Sequence, residues 1–438
     1  MGCCHRISQK DKTMTTIILT DANAFYCQAH AAFEPRLKGK AIVVLSSGDG
    51  NCISRTDEAK ALGIKMGEPW FQVKKRFKPG VIFPYSSCFP LYADMSNRTL
   101  AIIQSFSPIA IPYSVDESWS VWTGLEHRGI TDYAKDMKAT ILKWTGLPVC
   151  IGAGQTATQA KLANRIAKKM PVFEGVCNLN DMPQSQIDQL FATVPVSDVW
   201  GIGSRLSAKL NQIGIYTALD LKSAHPRTLR DKFNLTMQQT IDELRGIPCL
   251  DLERATQPKK NIATTKSFGQ PVNTVDGLIE AVTAFTSRAA EKARSQNTHA
   301  SSISVFIQTS IFNTSLYYGN AYTVALPSPT SDTRVLLRVA LWILNRLYRP
   351  GYLYKKAGVL LSGLVPNNGI QRDLFNDCSN TDFNKRTQIM TALDNINQRY
   401  GRKTVILGSE GFSQEWQPKQ LYLSPHYTTR WDDLIEAY

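Results

Sequence analysis

Two short stretches bound what this chain folds into. TTIILTDANAFY (15–26) is a β-branched apolar run that ends at Asp21 and passes into the helix-compatible AFYCQAHAAF. IAIPYSVDESWSVW (109–122) is two apolar strand segments meeting at the polar corner S-V-D-E, which places Asp116 and Glu117 at a hairpin turn. An antiparallel sheet carrying both gathers the three carboxylates on one edge. Such a set holds two divalent cations roughly 3.5–4 Å apart, the arrangement that catalyses in-line phosphoryl transfer. Ligation by oxygen alone suits Mg²⁺, with Mn²⁺ as the alternative, over Zn²⁺. Taken singly, each acid is an ordinary turn residue or helix cap, because Asp bonds its own backbone in turns. The surrounding sequence has to decide.

The rest of the composition narrows the setting. A chain of 438 residues divides into about two to four domains, and 43% hydrophobic with 9% aromatic residues excludes a disordered or collagen-like protein. The longest apolar run, VLLRVALWIL (335–344), is interrupted by Arg338 and falls short of a membrane span. Nine cysteines without a C-x-x-C pair, and histidines never at ligand spacing beside them, suggest neither a disulfide framework nor a zinc site. A reducing cytoplasm is the expected home. The opening MGCCHRISQKDKTM lacks an apolar core and has Arg6 where a myristoylation signal carries Ser or Thr, so neither secretion nor lipidation is expected, and Met14 is a candidate functional start.

The formal charge is +14, and it is unevenly placed. Residues 251–364 carry 13 basic against 6 acidic side chains, whereas 365–438 carry 8 against 9. A positive field confined to particular domains points to a polyanion such as nucleic acid, since neutralising phosphates releases counterions. A solvated basic surface is the plainer alternative.

Along the chain, residues 48–86 are punctuated by Gly and Pro with helical pieces, KLANRIAKKM (161–170) is a basic helix, and 195–221 reads as helix, Gly hairpin, helix. DLERATQPKKNI (251–262) is a polar linker. ISVFIQTS (303–310) and AGVLLSGL (357–364) are strand-like, and LIEAVTAFTSRAAEKARS (278–295) is helix-like, which together suggest a small α+β domain. No long periodic element is expected in the last 74 or so residues, and no internal repeat is present.

At D-A-N-A-F-Y (21–26), S-V-D-E (114–117), Q-T-A-T-Q-A-K-L-A-N (155–164) and V-W-G-I-G (199–203) the sequence closely resembles the Y-family translesion DNA polymerases, specifically their bacterial UmuC-like branch. The likeness runs from about residue 15 to the C-terminus, and four words in the family's order are far more specific than any one. It implies a multidomain α+β right hand. After an extension (1–13) come a ferredoxin-like palm (14–24 and 87–185), small fingers (25–86) and a helix-hairpin-helix thumb (186–250). The linker, an α+β little finger (263–364) and a C-terminal tail (365–438) follow.

The resemblance also assigns residues. It makes Asp21, Asp116 and Glu117 the catalytic metal ligands, joined by the backbone carbonyl of Ala22. Tyr26 matches the steric gate that rejects a 2′-hydroxyl, with Phe25 beside it; its other reading is an ordinary half-buried tyrosine. Lys161 and Lys60 match point charges for the triphosphate. Asp57 stands where the family commonly has an aromatic residue at the phosphates; an acid there repels them unless it turns away, and Arg55 is the candidate substitute. Ala157 and Gln159 stand where relatives often have Lys and an apolar residue. Gly201 and Gly203, with Arg205, match a hairpin whose backbone N–H groups meet a DNA phosphate; the alternative is a Gly C-cap between packed helices. In Q-R-D-L-F, Gln371, Leu374 and Phe375 resemble a sliding-clamp docking peptide, with Arg372 departing from the usual apolar residue; a locally packed loop is the other reading.

The implied activity is error-prone synthesis past damaged bases in an SOS-type response, low in fidelity and cytoplasmic at the nucleoid. The implied partners are primer-template DNA, dNTPs, the sliding clamp, a cleaved UmuD-like dimer and a RecA filament, with no membrane. Two rivals stand beside it: a non-catalytic paralogue that occupies DNA or clamp, and a nucleotidyl cyclase or nuclease using paired metals.

Overall fold

The computed structural model describes residues 15–252, 258–312, 317–367, 380–412, 414–418 and 420–434. Packing divides them into two compact units: 15–46, 50–252 and 422–434 form the first, and 47–49 with 258–421 the second.

The first unit opens with β1 (Thr15–Ala22) and the short α1 (Phe25–Ala31). β2 (Ala41–Leu45), β3 (Cys52–Arg55), α2 (Asp57–Ala61), α3 (Trp70–Arg76) and β4 (Ile82–Ser86) follow. Then come α4 (Phe89–Phe106), β5 (Ile109–Pro112), β6 (Glu117–Thr123), α5 (Ile130–Thr145), β7 (Val149–Gly154), α6 (Ala157–Lys169) and β8 (Val176–Asn178). Five short helices close the unit: α7 (Gln184–Thr193), α8 (Ser204–Asn211), α9 (Ala218–Ser223), α10 (Pro226–Lys232) and α11 (Leu235–Leu244).

Its main sheet runs β5-β6-β1-β7-β8. Leaving out β8, which adds parallel to β7, the order and the β1-α4-β5-β6-α5-β7 connectivity are those of a ferredoxin-like sheet. Alternation along β1 sends Ile18 into a core with Trp122, Ile141 and Ile151 on one face, while Leu19 packs with Trp119, Ala157 and Ala160 on the other. The sheet is therefore covered on both sides, which explains the unbroken apolar run that marks β1 in the sequence.

Three expectations need correction. Residues 48–86 hold more than helical pieces: they contain β3 and β4, which flank β2 in a three-stranded sheet, with β2 and β4 parallel. Residues 195–203 are a 3₁₀ turn (Val196–Asp198) and a glycine hairpin; the helix preceding the hairpin is α7. The tail is not without periodic structure either, as a long helix crosses it.

The second unit contains β9 (Ile262–Val272), α12 (Val275–Ser295), β10 (Thr298–Thr309), β11 (Gly319–Thr330), α13 (Thr333–Leu347), β12 (Tyr354–Pro366) and that tail helix, α14 (Asn380–Arg399). The sheet β11-β10-β12-β9 is antiparallel. On β10, Ile303, Val305 and Ile307 point into a core with α12 and α13, the alternation the sequence displays. Trp416 from the tail closes that core against Phe268 and Phe285. VLLRVALWIL lies within α13, whose apolar face is buried. Among the described residues no helix is long and apolar enough to cross a membrane.

Candidate active site

The β5–β6 turn and the end of β1 meet by backbone pairing. Asp21 on β1 is the direct antiparallel partner of Glu117 on β6, and the Ala22 N–H donates to the Asp116 carbonyl at 2.9 Å. Ser114 builds the corner: its Oγ donates to Asp116 Oδ1 at 2.5 Å and accepts the Glu117 N–H at 3.0 Å. The three acids singled out in the sequence are thus brought together where β1 ends and β6 begins, at one end of the two strands.

α6 lies on this sheet because two glycines permit it. A methyl group at Gly152 would run into the backbone of Asn164 and Ala160, and one at Gly154 would meet Gln159. The close approach delivers two lysines to the acids. Lys161 Nζ lies 3.0 Å from Glu117 Oε2, and Lys168 Nζ lies 2.5 Å from Asp21 Oδ1. Lys168 is not among the residues the sequence singles out. Its signal was spacing, since residues seven apart share a helix face. Lys161 also sits over the rings of Tyr113 and Trp200, at 4.8 and 5.2 Å.

Burial pushes the Asp21 carboxyl up to about 6, against the pull of Lys168, and the nearby charges of Glu117 and Asp116 push the same way. Burial outweighs the attraction of the neighbouring ammonium group, and the two other carboxylates add to it. Among the described residues no three His, Cys, Asp or Glu side chains already form a metal cage. The donor set nonetheless fits a hard divalent cation: it is all oxygen, and two of its carboxylates already hold cationic ammonium groups.

Tyr26 enters from the start of α1. The turn before it places Ala24 in the left-handed region (φ 44°), a strained position for a residue other than glycine. Tyr26 is half-buried, stacks on Tyr92 with centroids 4.2 Å apart, and touches the buried Phe25. Burial first, and then the Asp116 charge, raise its phenol above the ordinary value.

Lys60 and Arg55 are not joined to the acids by their described contacts. Lys60 pairs with the exposed Asp57 at 2.7 Å, which turns the troublesome acid onto a partner of its own. Arg55 donates to the Ile64 carbonyl at 2.5 Å. Ala157 and Gln159 are buried instead of facing solvent: Ala157 packs with Leu19 and Trp119 of the sheet, and Gln159 ties α6 to α11 by donating to the Leu244 carbonyl. Gly201 (φ 86°) and Gly203 form the open hairpin ahead of α8, no side chain caps that helix, and Arg205 is exposed beside it. Gln371, Leu374 and Phe375 lie outside the described residues.

Residues 20–165 match the impB/mucB/samB family, 259–374 that family's C-terminal domain and 183–215 the IMS family HHH motif, while 387–437 match a domain of unknown function. The chain is 40% identical over 422 residues to Protein UmuC of Salmonella typhimurium, covering 96% of this chain and 99% of that protein. It is 28% identical over 403 residues to DNA polymerase IV of Pelotomaculum thermopropionicum, 89% and 94% of the two chains. A solved Y-family DNA polymerase chimera of Dbh and Dpo4 shares the fold with a TM-score of 0.63 at 20% identity, over 80% of this chain and 100% of that one.

Proposed function

The chain belongs to the impB/mucB/samB family, the UmuC-like Y-family polymerases, and from that premise we propose that it is a DNA-directed DNA polymerase that inserts dNTPs opposite damaged template bases. The observation that carries this reading is the pairing of Asp21 with Glu117, with Asp116 bonded to Ala22, beside Tyr26 and two lysines of α6.

In this reading the five-stranded sheet is the palm, the three-stranded sheet with α2 and α3 the fingers, the helices from α7 to α11 the thumb, and the basic second unit supplies the little finger. Asp21, Asp116, Glu117 and the Ala22 carbonyl hold two divalent ions, Mg²⁺ or Mn²⁺, which when bound favour the ionised primer 3′-hydroxyl and offset charge on the pyrophosphate. Lys161 and Lys60 act as point charges for the triphosphate. Tyr26, braced by Phe25, lies under the sugar and excludes a 2′-hydroxyl. The Gly201–Gly203 hairpin and Arg205 hold DNA by its backbone, which suits an enzyme that accepts any template sequence.

The SOS setting, low fidelity, and docking to a clamp through 371–375, to a cleaved UmuD-like dimer and to a RecA filament are part of the same proposal, supported by the kinship with UmuC. Work at the nucleoid follows from the DNA substrate. The test is primer extension by Asp116→Asn with Glu117→Gln, with DNA affinity as the control. Retained affinity with lost extension supports the site, and undiminished extension sinks it.

A further inference from the structure

The last described segment returns to the first unit, although the nucleotidyl-transfer chemistry assigns it no task. Tyr422 docks beside β4 of the small sheet: its carbonyl accepts the Ser86 N–H at 2.8 Å, and Trp70 Nε1 donates to its hydroxyl at 3.2 Å. Five residues on, Tyr427 is 5% exposed and stacks nearly parallel on Phe33, with centroids 4.9 Å apart. Its hydroxyl donates to Glu34 Oε1 at 2.6 Å. The segment falls in the region that matches a domain of unknown function.

From Glu34 an unbroken line of contacts runs inward. Tyr85 donates to the same Oε1 at 2.8 Å and stacks on His30 at 4.4 Å. His30 Nε2 is 2.8 Å from the Tyr92 hydroxyl, and Tyr92 stacks on Tyr26. Every member is partly or wholly buried. Arg36 occupies the second oxygen of Glu34 at 2.8 Å, so the carboxylate is pinned from three sides. Burial alone would raise its pKa, but the hydrogen bonds from Tyr427, Arg36 and Tyr85 hold it below the ordinary range.

We propose that the C-terminal segment is a sugar-selection element: Tyr427, acting through Glu34, Tyr85, His30 and Tyr92, fixes the ring of Tyr26 where it meets the nucleotide sugar. Tyr26 stands on a helix of seven residues that has no side-chain cap and starts from a left-handed residue, so α1 alone fixes its ring poorly. The stacked Tyr92 supplies the missing constraint, and Tyr92 is held by the line that ends at Tyr427. Discrimination by one hydroxyl group tolerates little play in the ring that meets it. Tyr427 is a positioning residue in this scheme and touches no substrate.

The inference rests on the reading of Tyr26 as the gate, so the experiment tests both. Full-length protein inserts one dNTP, or the matching rNTP, opposite a plain template base, and kcat and KM are measured for each. Tyr26→Ala is the control. Tyr427→Ala is expected to raise the rNTP/dNTP efficiency ratio roughly three- to tenfold, mainly through a lower KM for the rNTP, as a partly loosened one-group fit would. Glu34→Gln should act in the same direction. If Tyr26→Ala raises the ratio while Tyr427→Ala and Glu34→Gln leave it unchanged, or slow both nucleotides equally, the relay is refuted and the gate stands. If Tyr26→Ala itself leaves the ratio unchanged, the gate reading falls, and the relay with it. Should Tyr427→Ala fail to fold, Tyr427→Phe decides, because it keeps the stack on Phe33 and removes only the bond to Glu34; an unchanged ratio there overturns the proposal.

Discussion

Asp21 and Glu117 face each other across β1 and β6, and each carries a lysine from one face of α6, Lys168 on the first and Lys161 on the second. Two neighbouring carboxylates are thus each neutralised by an ammonium group, the same carboxylates that the proposed chemistry assigns to divalent ions.

Replacing Lys168 with Met should therefore tighten Mn²⁺ binding, because a competing positive charge leaves Asp21. A partly exposed pair is worth about 1 kcal/mol, or roughly fivefold in affinity. Mn²⁺ titration followed by electron paramagnetic resonance reads this directly; unchanged or weaker affinity would show that Lys168 does not compete with the metal.

Glu243 is a buried carboxylate of α11 that joins this helix to α6. Its Oε2 accepts the Thr158 N–H at 3.0 Å, and its Oε1 accepts those of Cys249 and Leu250 at 2.7 and 3.1 Å. Glu243→Ala leaves three backbone donors unpaired and should cost about 1–3 kcal/mol for each that stays dry. Denaturant melts that resolve the first unit check it, and a loss below about 1 kcal/mol would mean that water replaces the carboxylate.

His30 gives stability a pH dependence of known sign. Burial pushes its imidazole down to about 4 from 6.5. Above pH 6.5 it is neutral folded or unfolded; as pH falls from 6.5 to 4 only the unfolded chain takes up the proton, and stability is lost. The loss approaches ~3 kcal/mol. Denaturant melts at pH 7.5 and 5.0 should converge in His30→Gln relative to wild type, and an identical pH dependence in the two proteins would contradict the assignment.

Deleting 371–375 should weaken clamp-stimulated synthesis while sparing synthesis without clamp, because tethering raises local concentration without changing chemistry. Equal stimulation with and without the peptide would refute docking there.

What the sequence reveals and what it hides divides along contact range. Asp21, Asp116 and Glu117 are legible because a β-branched run and a polar corner are local signals, and one antiparallel ladder then joins them. β10 and β12 are legible for the same reason, in ISVFIQTS and AGVLLSGL, whereas β9 and β11 are mostly exposed and show no such run. The small sheet is not: AIVVL and IFPYS are short apolar runs, and their parallel pairing spans a crossover that no local pattern marks. α14 is hidden because its apolar residues are sparse, and of those described only Met390 is buried. Lys168 was recoverable from helical spacing. The line from Tyr427 to Tyr26 was not, since Tyr427 and Glu34 lie 393 residues apart.

The most direct test of the central claim is primer extension across an abasic site with Mg²⁺ and all four dNTPs, wild type against Asp116→Asn, first alone and then with clamp and a UmuD-like dimer. The account predicts bypass by the wild type in at least the complete system, and none by the variant although it still binds DNA. DNA binding without synthesis by the wild type in either condition would contradict it and make the chain a non-catalytic member of its family.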